Sequence, residues 1–312
     1  MGGDERSFGG HDNSHRRSAN LPFRHSLGCR LAGPVLPDNG FTNEDPDDQM
    51  TDETAPRHEW RPGRFMVIVG HPDDADFGPA GSAAAWIDAG SEGWLVCCTS
   101  GEAGGEDPDL DPVELAKARE DEQRRAAEIV GYAGVSFLHQ PDGGLVNDLP
   151  LRELLVREIR TFKPDAVICG DPEIVVHSNG GINHTDHRAA ALAAIDAVYP
   201  AARNPMAFPW LARGGLAEHR VRRLYLMWGN QSDAWIDVTA TADRKIEALR
   251  CHASQLHDPE AVFERIRGRL AEAGERIGTA AAEGYRLVVL DQDPEENGEA
   301  EPLRSDRPKE RP

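Results

Sequence analysis

Lysine is nearly absent from this 312-residue chain. Only Lys117, Lys163, Lys245 and Lys309 occur, and the other cations are arginines. Acids outnumber bases 54 to 34, which leaves a formal net charge of −20. That balance excludes a general nucleic-acid binder, which needs clustered cations to displace the counterions of phosphate. It also excludes docking on an anionic membrane surface. Cysteine is scarce as well: Cys29, Cys97, Cys98, Cys169 and Cys251 form no C-x-x-C pair. An odd, scattered set argues against a disulfide framework and points to a reduced, cytoplasmic chain. No apolar run approaches the ~18 residues of a membrane span, and no basic segment leads into an apolar one as in a signal peptide. No repeat of fixed period occurs.

The charge is unevenly spread. Residues 1–60 hold eleven acids and six bases, with six acids between Glu44 and Glu53, and they lack apolar periodicity. Residues 291–312 hold eight acids, four bases and several prolines. Such segments cannot bury enough surface to offset their ordering entropy. The expected organisation is one domain over 61–290 between two disordered acidic tails, 1–60 and 291–312.

Within 61–290 the pattern alternates between strand and helix. Arg64–Gly70, Glu92–Thr99, Val135–His139 and Asp165–Gly170 are short β-branched or apolar runs suited to buried parallel strands. Arg223–Trp228, Trp235–Val238 and Tyr285–Leu290 read as later strands. Helices are expected over 79–89, 112–130, 151–162, 184–198, 242–255 and 259–280. Asp111 stands as N-cap and Pro112 in the first turn of the long second helix, which Gly131 ends. This alternation predicts an α/β fold: a Rossmann-like, mostly parallel sheet with helices on both faces and right-handed crossovers. Its active site should lie at the carboxyl ends of the strands.

Two histidine–aspartate clusters fall there. The first, Gly70-His71-Pro72-Asp73-Asp74-Ala75-Asp76, puts an imidazole and three carboxylates at the end of the first strand. These groups are costly to bury without a cation or hydrogen bonds, and the ligand types suit Zn²⁺. The second, Asn183-His184-Thr185-Asp186-His187-Arg188, opens a helix, so His184 and His187 project to one side of its first turn. A catalytic zinc needs three protein ligands and an open position. His71, Asp74 and His187 can supply the three. Asp73 is then free to accept a proton and His184 to face a developing oxyanion, while Asp186 can orient an imidazole.

The paired clusters, about 110 residues apart, resemble the PIG-L/LmbE family of zinc-dependent N-deacetylases. The resemblance spans Arg64 to Trp210 and weakens towards Gln255. It extends to Arg119-x-x-Glu122, to the Asp142-Gly143-Gly144-Leu145 turn and to the loop from Thr99 to Gly104. It implies Zn²⁺ on His71, Asp74 and His187, Asp73 as general base, and His184 facing the tetrahedral intermediate with Asp186 as its partner. It further implies that Arg119 and Asp142 hold the sugar of an N-acetylated amino-sugar substrate. Ala75 and Thr185 depart from the family pattern, which commonly has an acid and a proline there. The implied reaction is removal of acetyl from an N-acetylglucosaminyl-type small molecule. Cleavage of a mycothiol-type S-conjugate would use the same zinc core, and a non-catalytic metal-binding relative is the third reading. Self-association as a homo-oligomer is left open. Cys97 and Cys98 read as core. Trp210, Trp228 and Trp235 are candidates for a sugar platform. His252 and Gln255 are candidates for the pocket wall, and Glu102–Asp111 for a loop over its mouth.

Overall fold

A computed structural model describes residues 55–105 and 107–292. Most of both expected tails lies outside the described residues. Seven strands form one sheet in the order β3-β2-β1-β4-β5-β7-β6. β1 (Arg64–Val69), β2 (Glu92–Thr99), β3 (Gly134–Gln140), β4 (Ala166–Gly170) and β5 (Arg223–Met227) are parallel, as the strand–helix alternation predicts. β7 (Ala282–Val289) runs antiparallel to β5, and β6 (Ala234–Asp237) runs antiparallel to β7. β1 is buried from Phe65 to Val69 because helices cover both faces of the sheet.

One face packs α2 (Ala80–Asp88), α3 (Pro112–Val130), α7 (Ala242–Leu249) and α8 (Pro259–Glu275) over Phe65, Val67, Leu95 and Tyr225. The other packs α4 (Leu149–Phe162) and α5 (Thr185–Asp196) over Met66, Ile68, Val96 and Val167. The caps follow the local sequence. Asp111 accepts the amide of Val113, Pro112 fills the first turn of α3, and Gly131 ends it at φ 102°. Asp148 caps α4 by accepting the amide of Leu151.

Several elements depart from the sequence expectation. α5 stops at Asp196, and a π-helical turn, Ala197–Ala202, carries the chain on until Tyr199 turns extended ahead of Pro200. α7 ends at Leu249, because Ser254 hydrogen-bonds Glu122 of α3 instead of continuing the helix. Two short helices, α1 (Asp74–Phe77) and α6 (Pro209–Arg213), are too brief to show a period. Of the expected N-terminal tail, residues 55–60 are described. The amide of Ala55 donates to the carbonyl of Arg276, and His58 Nε2 lies 2.7 Å from the Tyr225 hydroxyl.

A buried ion pair ties these layers together. Lys245 Nζ of α7 lies 2.7 Å from Glu283 Oε1 of β7, with both side chains buried. Glu283 also accepts from the amides of Gly81 and Ser82, and from the Ser82 and Tyr285 hydroxyls. Its charge therefore faces the amino end of α2, where the helix dipole favours an anion. Lys245 in turn donates to the carbonyls of Phe77 and Gly78, immediately after α1. Burial alone would raise the Glu283 carboxyl, but Lys245 and Ser82 outweigh it and hold it below the usual glutamate range.

Lys245→Met leaves an unpaired buried anion and should cost about 3–5 kcal/mol, read as a fall of roughly 10 °C in the thermal midpoint. A depressed carboxyl contributes stability above its unfolded value of about 4.3 and loses it as pH falls through the lower folded value. The wild-type midpoint should therefore drop on acidification below about pH 4, and Glu283→Gln should remove that component of the drop.

Candidate active site

The strand order reverses between β1 and β4, so the chain beyond their carboxyl ends diverges and leaves a crevice. A cleft of about 440 Å³ opens there, and its walls come from the ends of β1, β2, β3 and the amino end of α5. His71, Asp73 and Asp74 follow β1; Ala103 and Gly104 follow β2; Asp142 follows β3; His184 and His187 sit at the start of α5. Arg119 reaches in from α3. The eight residues singled out in the sequence are thus brought together, with seven on the cleft wall and Asp186 behind His71.

His71 is the centre of the cluster. Its Nε2 lies 2.9 Å from Asp142 Oδ1 and 3.4 Å from Asp186 Oδ2, and its Nδ1 lies 3.5 Å from Asp74 Oδ2. Asp74 also accepts the His71 amide, and its other oxygen lies 3.0 Å from His187 Nε2. Asp74 therefore stands between the two histidines. Two sets of ligand atoms lie mutually within 4.8 Å: His71 with His184 and His187, and His71 with Asp142 and Asp186. Imidazole nitrogens and carboxylate oxygens at this density form a donor set that fits a divalent cation.

His184 caps α5. Its Nδ1 accepts the backbone amide of Asp186 at 3.2 Å. A backbone N–H can only donate, so the proton of the neutral ring sits on Nε2. Burial and the neighbouring His71 and His187 hold this imidazole below its usual value, which favours that neutral form. Asp186 thus reaches His184 through its backbone. Its carboxylate instead accepts the amides of Gly143 and Leu145 and approaches His71.

Asp73 has a strained backbone at φ 97°, a region that non-glycine residues seldom enter. Its amide donates to Gln123 Oε1 at 2.7 Å, and Gln123 Nε2 donates to Asp76 Oδ2 at 2.8 Å. His252 Nε2 lies 2.8 Å from the same oxygen. Gln123, Asp76 and His252 are all buried. His252 therefore faces Asp76 behind the turn and does not wall the cleft. The acid at position 76, one step beyond the family's usual acid, has become the hub of this support. Arg119 holds the turn from the other side, donating to the carbonyls of Pro72 and Gly101 and lying 3.4 Å from Asp73 Oδ2. A Cβ at Gly101 or Gly104 would run into its guanidinium. Arg119 and Asp142 border the cleft, but both are engaged by the protein: Asp142 by His71 and the Ala103 amide, Arg119 by the turn.

The electrostatics separate the adjacent carboxylates. Burial, reinforced by the Asp74 charge, pushes Asp73 up to about 7 against the pull of Arg119. Burial also acts on Asp74, yet His187 and His71 overcome it and hold Asp74 far below the usual range. Burial would lower His71, but hydrogen bonds to Asp142 and Asp74 raise it to about 10.

The sequence did not single out Gln123, Lys245 or Glu283. Among the tryptophans, Trp228 alone reaches this region, with its ring 5.2 Å from that of His187. Trp210 instead donates to Glu153, and Trp235 packs over Gly284.

The family profile described as PIG-L, GlcNAc-PI de-N-acetylase, matches residues 66–198. Diacetylchitobiose deacetylase of Thermococcus kodakarensis is 29% identical over 230 residues, covering 72% of this chain and 83% of that protein. A 1D-myo-inositol 2-acetamido-2-deoxy-alpha-D-glucopyranoside deacetylase of Geodermatophilus obscurus is 30% identical over 281 residues, covering 72% of this chain and 92% of that one. The solved structure of N,N'-diacetylchitobiose deacetylase from Pyrococcus horikoshii superposes with a TM-score of 0.68 at 28% identity, over 73% of this chain and 84% of that one. The chain belongs to the PIG-L family.

Gln123→Met keeps side-chain bulk but removes the acceptor for the Asp73 amide and the donor to Asp76. It should lower kcat roughly 10- to 100-fold, the scale of a small displacement of a reacting group. Bound metal per chain should stay at the wild-type level, as measured by elemental analysis.

Proposed function

We propose that this chain is a zinc-dependent N-deacetylase that removes the acetyl group from an N-acetylglucosaminyl-type small molecule in the cytoplasm. We propose also that one catalytic domain over 61–290, between two acidic tails, does this work. One observation carries the reading. In the cleft Asp74 lies 3.5 Å from His71 Nδ1 and 3.0 Å from His187 Nε2, and Asp73 and His184 line the same wall. A site that merely stored a cation would not need Asp73.

His71, Asp74 and His187 would hold the ion. Zn²⁺ there supplies a Lewis acid that polarises the acyl oxygen and brings the pKa of water towards ~7. Asp73, poised at about 7, takes the proton of the attacking water and then delivers it to the departing nitrogen. His184 points its Nε2–H at the oxygen on which negative charge develops, with its tautomer set by the Asp186 amide. Asp142 and Asp186 fix the His71 ring. The C–N bond breaks to give acetate and a free amine. Arg119 keeps Asp73 aimed at the cleft and limits the rise that burial imposes on it.

Asp73→Asn should reduce turnover of an N-acetylglucosaminyl substrate by at least about 100-fold while retaining metal. His187→Ala should lose metal and activity together. Chelation should abolish amine release, and added Zn²⁺ should restore it. Activity that survives complete metal removal would overturn the mechanism, and near-native activity in Asp73→Asn would overturn the base assignment.

A further inference from the structure

Asp73 is held by a glutamine whose side chain could stand either way round. A side-chain amide has a donor end and an acceptor end, and only the acceptor end can take the Asp73 N–H. Gln123 presents that end, with Oε1 2.7 Å from the Asp73 nitrogen. Its Nε2 is turned the other way and donates to Asp76 Oδ2 at 2.8 Å. A carboxylate oxygen accepts, so Asp76 selects this orientation and rejects the flipped one. The strained backbone of Asp73, at φ 97°, thereby keeps an acceptor on its amide.

Asp76 is itself held from a further side. His252 Nε2 lies 2.8 Å from the same Oδ2, and among the described residues Asp76 Oδ1 has no hydrogen-bond partner. Both side chains are buried, at 1% and 0% exposure. The imidazole is fixed in its turn. The His252 amide donates to the Leu249 carbonyl, the His252 carbonyl accepts the Gln255 amide, and Ser254 bonds Glu122 through both its amide and its hydroxyl. Glu122 precedes Gln123 on α3, so the segment after α7 is locked to the helix that carries the glutamine. Replacing a buried pair of this kind by apolar side chains is often neutral or stabilising, so stability alone gives no reason for it. Its place behind the strained Asp73 gives one.

We propose that His252 is a positioning residue for Asp73, acting through Asp76 and Gln123. The path runs from His252 Nε2 to Asp76 Oδ2, on to Gln123 Nε2, and from Gln123 Oε1 to the Asp73 amide. It joins the segment after α7 to the turn after β1 from behind the cleft. The inference rests on the reading of Asp73 as general base of a deacetylase. It gives a duty to a histidine that the sequence placed on the pocket wall and the structure places behind it.

Steady-state kinetics on the zinc-loaded full chain, with an N-acetylglucosaminyl substrate, test the path. Asp76→Asn keeps the shape but lets Gln123 take either orientation, and kcat should fall roughly 10- to 100-fold, the scale of a small displacement of a reacting group. KM and bound metal per chain should stay at the wild-type level. His252→Leu should lower kcat as far, and His252→Gln, whose amide can reach Asp76, should recover most of that loss. None of these changes should lower kcat further in a Gln123→Met background, where the path is already cut. Losses that multiply in that background, or wild-type kcat in Asp76→Asn, would overturn the proposal while leaving deacetylation intact. If His252→Leu does not fold, Asp76→Asn and His252→Gln, alone and with Gln123→Met, decide. Hydrogen exchange read by mass spectrometry needs no turnover: the peptide spanning 71–77 should exchange faster in Asp76→Asn, because the Asp73 amide has lost its fixed acceptor. That acceleration, in a protein whose wild type releases no amine from N-acetylglucosaminyl compounds, would uphold the path and overturn the deacetylase reading. Unchanged exchange together with absent turnover would overturn both.

Discussion

Two adjacent carboxylates inside a protein repel each other and lose their hydration, and Asp73 and Asp74 are placed in that position by the turn at the end of β1. Much of the surrounding architecture answers this constraint. His71 and His187 take up the charge of Asp74, Arg119 approaches Asp73, and Gln123 accepts the amide of the strained Asp73. The result divides the labour of one dipeptide. His187 and His71 hold Asp74 as an anion, whereas burial and the Asp74 charge push Asp73 the other way. Groups whose environments drive them apart in this way mark where acid–base work is done.

α3 carries most of that support on one face. Arg119, Glu122 and Gln123 are spaced at i, i+3 and i+4, so they emerge side by side. Arg119 grips the turn, Gln123 bonds the Asp73 amide, and Glu122 captures the Ser254 amide and hydroxyl. A single helix thereby links the turn after β1 to the segment after α7. Arg119 and Gln123 of this buried face serve the His71–Asp74 turn, Glu122 serves the segment after α7, and the alanines Ala126 and Ala127 belong to the core.

Much of the fold and the heart of the site were legible because their signals are local. The caps of α3, the β-branched runs of β1 and β4, and the two histidine–aspartate clusters each declare themselves within a few residues. What escaped notice depends on distant partners. Glu283 meets Ser82 and Gly81 about 200 residues away, and Gln123 meets Asp73 across 50. A glutamine within a polar helix gives no sign that it will be buried. The family resemblance implies that Arg119 holds the sugar, and only three dimensions show its bonds directed at the carbonyls of Pro72 and Gly101. The antiparallel course of β7 was hidden for a similar reason, since strand direction is set by the connection and not by the strand's own residues.

The ion pair between Lys245 and Glu283 bears on the order in which the chain is made. Ribosomes deliver residue 71 long before residue 283, so the His71–Asp74 turn leaves the tunnel without the lysine that holds the carbonyls of Phe77 and Gly78. It also lacks the glutamate that makes burial of that lysine tolerable. His252, which backs Asp76, likewise arrives late. The His71–Asp74 turn is thus written early in the chain and completed by the last of the described strands. A chain truncated before β7 would keep all eight residues of the candidate site yet lack the clasp that closes behind them.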